Sequence, residues 1–203
     1  MSPAAVAAVT AAGRPRRGRP PDEACRPAIL DATLDLVADV GYAGMTVDAV
    51  AQRAGVGKAT IYRRYQGKVD LVIAAVRHFT EGPVEAPDTG ATRGDLRELV
   101  DGLVRLLTTT PLGRVLPILV AARTRVPELD LAYTEIVAGK RARSAVVIRR
   151  AVGRGDLRAD ADPELVADFY VSPIFYRFLI TNAPLDDEFA AAIVDTTMRA
   201  FGT

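Results

Sequence analysis

The stretch "TVDAVAQRAGVGKATIYRRYQGK", residues 46–68, contains two short helical patterns separated by a turn with two glycines. Thr46 is a favourable N-cap, and the apolar spacing after it predicts a helix over residues 47–54. "AGVG" supplies the turn, and a second helix is expected over residues 58–65. Two short helices joined by a tight, glycine-containing turn form a helix-turn-helix.

The second helix of this motif separates its packed residues from its outward residues. With Ile61 taken as the inward direction and 100° per residue, Tyr65 also faces inward, whereas Ala59 and Arg63 point away from the core. The residues beside the outward direction complete a face able to contact thymine methyls, base edges and phosphates. Thr60 and Tyr62 flank the outward direction, whereas Lys58 and Arg64 lie nearer the packed edge, from which their long side chains can still reach a phosphate.

Charge is concentrated in this part of a nearly neutral chain, which has 26 basic and 25 acidic residues in total. No acid lies between Asp48 and Asp70, but five cations do: Arg53, Lys58, Arg63, Arg64 and Lys68. Such a local positive field suits a polyanion. An ordinary solvated basic face is the alternative interpretation of the charge pattern alone.

A second basic stretch, "GRPRRGRP" at residues 13–20, lies in a segment predicted to be disordered, residues 1–21. Its "RGRP" core, residues 17–20, resembles the AT-hook motif of minor-groove binders. Arginine is attracted into narrow A·T-rich minor grooves, so Arg17 and Arg19 are predicted to contact DNA there. The alternative is a tail that binds any polyanion.

The rest of the chain reads as helical, with no strand-like alternation, and predicts an all-α protein of about nine helices. The first helix is expected to end at Gly41, and Asp162 is expected to cap the helix that begins at Pro163. Pro117 should kink or split its helix, and Pro173 should bend its own. The predicted domains are a basic arm (1–21), a three-helix DNA-binding domain (22–83, with its motif at 46–65) and a helical regulatory and dimerisation domain (84–203).

Composition argues against several other classes of protein. The apolar runs stop short of the roughly 18 residues that a membrane helix needs. One cysteine, Cys25, and one histidine, His78, nearly exclude a zinc site of the usual kind. We therefore expect a cytoplasmic protein with no metal, cofactor, membrane span or catalytic site. A small all-helical enzyme with an incidental basic face remains the alternative.

The run "ILDATLDLVADVGYAGMTVDAVAQRAGVGKATIYRRYQGKVDLV", residues 29–72, resembles the DNA-binding domain of the TetR/AcrR family of bacterial repressors. The resemblance implies a homodimer on a palindromic operator in double-stranded DNA, released by a small apolar or amphipathic effector. It also implies DNA contacts at Thr46, Lys58, Thr60, Tyr62, Arg63 and Lys68. Many relatives have Ser or Thr where this chain has Gly57, which leaves only backbone N–H groups for a phosphate.

The second half is similar to the regulatory domain of the same family, in which earlier helices enclose an effector and the last two helices pair with a second subunit. The expected pocket residues are Leu103, Leu119, Arg123, Tyr133, Tyr170 and Phe175. The expected interface residues are Tyr176, Arg177, Leu179, Phe189 and Ile193. Arg123 and Arg177 lie in otherwise apolar helices, and pairing with a carboxylate such as Asp130 or Asp168 is favoured over contact with an acidic effector.

Overall fold

Nine α-helices make up the architecture of residues 22–81 and 85–203, the ranges that this computed structural model describes. The predicted all-α fold is confirmed. The helices are α1 (Arg26–Gly44), α2 (Val47–Arg53), α3 (Lys58–Tyr62), α4 (Lys68–Thr80), α5 (Thr92–Thr109), α6 (Leu112–Arg123), α7 (Pro127–Arg154), α8 (Pro163–Tyr176) and α9 (Asp187–Phe201). A 3₁₀ turn, Asp22–Cys25, precedes α1, and a π-helical turn, Arg177–Thr181, follows α8.

The predicted helix boundaries are fixed by side-chain caps and by left-handed glycine. The Thr46 hydroxyl accepts the Ala49 N–H at 3.2 Å, and the Asp162 carboxylate accepts the Glu164 N–H at 2.9 Å. Both bonds satisfy N–H groups that a first helical turn leaves open. Gly41 has φ 75°, so regular helical geometry is interrupted there and a further turn continues to Gly44.

Two prolines differ in their effect on the helices that contain them. The expected split at Pro117 is wrong, since α6 continues through this exposed residue. Buried Leu112, Val115 and Leu119 lie on both sides of Pro117 and anchor both parts of α6 in one core. Beyond Pro173 the α-helical pattern of α8 gives way to the π-helical turn at Arg177.

The first of two hydrophobic cores joins α1–α4 to α6 and α7 of the second half. Leu30 and Ile61 are buried in it together with Val115 and Leu119 of α6 and Leu129 of α7. Helix α1 packs extensively on both α4 and α6. Helix α1, on which α2 of the helix-turn-helix packs, is therefore also held by α6, a helix that lies beyond the linker in sequence.

The second core lies among α5, α7, α8 and α9. A polar network joins the start of α5 to the end of α7: Arg154 contacts fully buried Asp95 at 3.0 Å and Asp156 at 3.1 Å. Burial acts to raise the pKa of Asp95, but hydrogen bonds from Thr89 and Arg154 outweigh it and hold that pKa below its ordinary value.

Candidate nucleic-acid interface

Helix α3 is held in place by residues that face into the first core. Ile61 is fully buried and Tyr65 nearly so, which confirms the inward direction derived from the sequence. Helix α3 is shorter than expected, because its last helical residue is Tyr62 and Arg63 is its C-cap. The packing of α2 against α3 sets the orientation of the exposed residues relative to the remaining helices.

Most of the expected outward face is exposed, with one exception. Ala59, Tyr62 and Arg63 are exposed, and Arg64 is half-buried. The predicted orientation of Thr60 is wrong, since only 2% of its surface is accessible. A helical wheel places Thr60 on the flank of α3, and in the folded chain that flank is covered.

The N-terminal ends of α2 and α3 provide two further positions on this surface. Thr46 and Gly57 are the exposed N-caps of these helices. No atom lies within 4 Å of the place that a Gly57 side chain would occupy, and its φ of −73° is ordinary. The absence of a hydroxyl there is therefore a feature of this sequence that the backbone does not require.

Arg53, Lys58 and Lys68 of the basic interval are held by groups within the same half of the protein. Arg53 contacts Asp39 at 2.6 Å, and Lys58 donates to Asp48. Lys68 donates to the Ala43 carbonyl at 2.9 Å, and burial lowers the pKa of its ammonium. Both carboxylates, Asp39 and Asp48, come before the acid-free interval in the sequence.

Lys68 therefore joins two helices in addition to lying near the predicted DNA surface. Its ammonium lies 4.5 Å from the centre of the Tyr42 ring, and its hydrogen bond reaches the last turn of α1. A cation over an aromatic face is stabilising, and the Ala43 carbonyl is one that the helix end leaves open. Arg17 and Arg19, the other predicted contacts, lie outside the described residues.

The six expected pocket residues fall into separate places. Leu119 belongs to the first core, whereas Leu103, Tyr170 and Phe175 belong to the second or pack against it. Arg123 contacts Asp130 at 3.2 Å, which confirms its predicted carboxylate partner, and its guanidinium lies 4.1 Å from the centre of the Tyr133 ring.

Tyr170 carries the polar group of the second core. Its buried hydroxyl is hydrogen-bonded to the Ser144 hydroxyl. Burial raises the pKa of this phenol, while the bond to Ser144 acts in the opposite direction. The hydroxyl pair places a hydrogen-bonding group between α7 and α8 in otherwise apolar surroundings.

The expected interface residues also divide. Tyr176 and Leu179 are exposed, but Ile193 is 5% exposed and packs in the second core, so its predicted interface position is wrong. Helix α9 packs on both α5 and α8, and Ile193 is buried in the core that these helices share. Arg177 donates to the Pro184 carbonyl at 2.8 Å and stacks on Phe189, so the expected carboxylate partner is wrong for Arg177.

Sequence reasoning missed two exposed apolar residues near that interface, Leu165 and Ile180, and Phe169 of α8 is exposed as well. Leu165, Phe169 and Tyr176 have the i, i+4, i+11 spacing of one helical face, and Ile180 extends it by four more residues. This spacing could have been found from the sequence, because Pro163 already marked the start of α8. Asp168 of α8 pairs with Arg141 of α7.

Within residues 22–81 and 85–203, no group of three or more His, Cys, Asp or Glu side chains is placed to hold a metal ion. No single helix of those ranges has the length and apolar composition to cross a membrane. Helices α5 and α6, bent by 90° at their junction, meet that criterion only as a pair.

Both halves of the chain match models of known families. Residues 29–75 match the model described as "Bacterial regulatory proteins, tetR family". Residues 86–197 match the one described as "Tetracyclin repressor-like, C-terminal domain". The ten residues between the two matches, 76–85, contain the end of α4 and the start of the linker to α5.

Two curated relatives align over most of their own length. "Uncharacterized HTH-type transcriptional regulator YdeS" of Bacillus subtilis (strain 168) is 33% identical over 187 residues, 92% of each chain. "DNA-binding transcriptional repressor TetR" of Mycobacteroides abscessus is 31% identical over 177 residues, 84% of this chain and 90% of the relative.

Solved structures share the fold. The TetR family transcription regulator SCO0332 is 32% identical with a TM-score of 0.66, over 86% of this chain and 97% of that one. The SmeT–triclosan complex, at 22% identity and a TM-score of 0.69, covers 89% of this chain and 92% of SmeT and shows the fold alone. The exposed α3, the two family models and the aligned relatives lead to one conclusion: the chain belongs to the TetR family of bacterial regulatory proteins and is a DNA-binding, helix-turn-helix transcriptional regulator.

Proposed function

We propose that this regulator is a repressor that binds a palindromic operator as a homodimer and is released by a small apolar or amphipathic effector. The observation that carries the proposal is the exposed end of α3, where Tyr62 and Arg63 project from a helix whose other side is locked into the core. A phenol and a guanidinium on one short helix suit the edges of bases and the phosphates beside them. The relative in Mycobacteroides abscessus is itself named a repressor.

An exposed apolar surface supports the homodimer. Of the nine large apolar side chains that are exposed among the described residues, five belong to α8 and the turn after it: Leu165, Phe169, Tyr176, Leu179 and Ile180. Contiguous apolar surface of this kind marks an interaction site. A second copy of the chain, related by a two-fold axis, would cover it and place two α3 helices in successive major grooves, roughly 34–36 Å apart.

The shared first core supports control by an effector. Helix α6 packs on α1 through buried Val115 and Leu119, and Arg114 contacts Asp35 at 2.6 Å. A ligand that displaces α6 therefore acts on the support of the helix-turn-helix without touching α3. Release requires tighter binding to the conformation without DNA, by about 1.4 kcal/mol for each tenfold effect. The solved complex of SmeT with triclosan shows that a protein of this fold holds such a molecule.

The arginine arm is proposed to add affinity beside each half-site. Deletion of residues 1–19 removes Arg14, Arg16, Arg17 and Arg19. If each contacts a phosphate, the slope of log K against log salt falls in magnitude by about 3–4 per subunit, at roughly 0.9 per contact. An unchanged slope would show that the arm does not touch DNA, and equal losses on A·T and G·C flanks would remove the minor-groove preference.

The experiment for the whole proposal uses DNA from upstream of the protein's own gene. Footprinting should return two inverted half-sites protected by a dimer, and a single asymmetric site bound by a monomer would contradict it. A thermal-shift screen of apolar and amphipathic metabolites should find a compound that raises the melting temperature by mass action. The same compound should release the DNA. A compound that competes directly with DNA at α3 would contradict control through the regulatory half.

A further inference from the structure

Lys58 and Asp48 form an ion pair on the surface that is proposed to meet DNA. Lys58 is the first residue of α3, and Asp48 lies in the first turn of α2. The Lys58 ammonium donates to the Asp48 carboxylate, and the two side chains are 61% and 56% exposed. A phosphate that approaches Lys58 therefore meets an ammonium that already has an anionic partner.

The neighbouring cations show that this pairing is not isolated. Arg53, the last residue of α2, is paired with Asp39 of α1, and Lys68 is bound to a backbone carbonyl. The positive field expected from the sequence is therefore partly neutralised within the folded domain. Asp48 is the last acid before α3 in sequence, and its partner is the first residue of α3.

We propose that Asp48 is an intramolecular counterion that Lys58 exchanges for a DNA phosphate, so that Lys58 adds little to affinity for DNA of any sequence. The inference rests on the proposed DNA-binding surface. A lysine that meets a phosphate normally releases one condensed counterion from the DNA. Here the Asp48 carboxylate stays beside the phosphate, and its charge keeps a condensed cation on the DNA. Little net counterion release remains, and the contact becomes almost independent of salt.

The test compares the full-length protein with its Asp48→Asn variant on a short duplex of scrambled sequence, between about 50 and 200 mM salt. Asn keeps the shape but not the charge. We expect the variant to bind about two- to fivefold more tightly at moderate salt, which is the range for breaking one exposed ion pair. The salt slope should steepen by about 0.9 per subunit. A residue that only stabilised α2 would not steepen it.

Asp70→Asn is the matched control, because it removes the same charge from the adjacent helix α4. Asp70 accepts the Gln66 N–H at 3.0 Å, a bond that the oxygen of asparagine preserves. Equal effects of Asp48→Asn and Asp70→Asn on affinity and salt slope would overturn the inference, since loss of negative charge anywhere on the surface would then explain them.

Introducing Lys58→Gln into the wild type and into the Asp48→Asn variant completes a double-mutant cycle. It should weaken binding more in the Asp48→Asn protein than in the wild type, because only there does Lys58 act as a free cation. Equal weakening in the two backgrounds overturns the inference but leaves Lys58 on the DNA surface. No weakening in either background shows that the start of α3 does not meet DNA, and that result rejects the proposed surface at this position.

Discussion

At the scale of single residues, the cations of the basic interval differ in their exposure and in the groups that they contact, and we expect them to differ in their roles. Arg63 is exposed at the C-cap of α3, Lys58 is paired with Asp48, and Lys68 is bound to α1. Their identical charges therefore do not imply identical contributions to binding. Position on the fold decides which of them can reach the edge of a base.

Arg63→Ala should weaken binding to the operator more than binding to scrambled DNA. A guanidinium that contacts base edges is worth about 1–3 kcal/mol of discrimination, whereas a phosphate contact carries no sequence information. Titrations of both duplexes by fluorescence anisotropy measure the difference. Arg149→Ala, an exposed arginine of α7, is the control with the same change in charge. Equal losses on the two duplexes would make Arg63 a phosphate contact only.

Gly57→Ser should stabilise the protein, because serine caps a helix better than glycine and restricts the unfolded chain. The site is open, its φ is ordinary, and α3 has no side-chain cap. We expect a gain of about 0.5 kcal/mol in the free energy of unfolding. Urea denaturation measures it. Gly55→Ser, at φ 67°, is the contrasting variant and should lose stability. A destabilised Gly57→Ser protein would contradict the open geometry.

At the scale of elements, the regulatory half is fastened by a polar network as well as by its apolar core. Arg154 near the end of α7 contacts Asp95 and the Thr92 hydroxyl at the start of α5. The Asp95 carboxylate also accepts the Thr89 N–H at 2.6 Å. The fully buried carboxylate of Asp95 is tolerated because the Thr89 N–H and Arg154 donate to it. The Thr92 hydroxyl accepts a further bond from Arg154.

Asp95→Asn should lower the free energy of unfolding by about 2 kcal/mol near neutral pH, because a charged hydrogen-bonded partner of Arg154 is lost. The folded pKa of Asp95 is lowered from its ordinary value of 3.8, so its charge stabilises the fold above that value. This contribution disappears as the pH falls through the folded pKa.

The difference between wild type and Asp95→Asn should therefore be constant between about pH 5 and 8 and shrink below about pH 4. Chemical denaturation across that range measures it. Asp101→Asn, which breaks the partly exposed pair with Arg97 on the same helix, should cost less than about 1 kcal/mol. Equal costs for the two variants would remove the special role of the buried network.

At the scale of the whole molecule, two features connect its parts. One is the row of exposed apolar residues on α8 and the turn after it, the apolar stripe, and the other is the shared first core. The stripe is the surface where a second copy is proposed to bind. The shared core connects α6 to α1 and so connects the regulatory half to the DNA-binding half. Both features lie outside the helix-turn-helix itself.

Ile180→Glu should convert the dimer to a monomer, because Ile180 is 70% exposed in the single chain and would become a buried charge in the dimer. Analytical ultracentrifugation gives the mass, and circular dichroism checks that the helices remain. Leu131→Glu is the matched control: Leu131 is 63% exposed and belongs to α7, not to the stripe. A dimer that survives Ile180→Glu but not Leu131→Glu would place the interface elsewhere.

The sequence by itself determined the features that depend on near neighbours in the chain. Apolar spacing, the caps at Thr46 and Asp162, and the break at Gly41 set the helices, and "GVGKATIYRRY" indicated the motif and the family. The inward positions of Ile61 and Tyr65 followed from helical period alone. These properties are local, since each depends on residues within about one or two helical turns.

Tertiary structure alone decided the properties that depend on which helix covers which. Thr60 and Ile193 are buried because other parts of the fold cover sides of α3 and α9 that a helical wheel leaves open. The pairs Arg53–Asp39 and Lys58–Asp48 join different helices, so cations of an interval without acids are still paired with carboxylates. Burial and electrostatic partnership act through space, and the order of residues along a chain does not specify distances between helices.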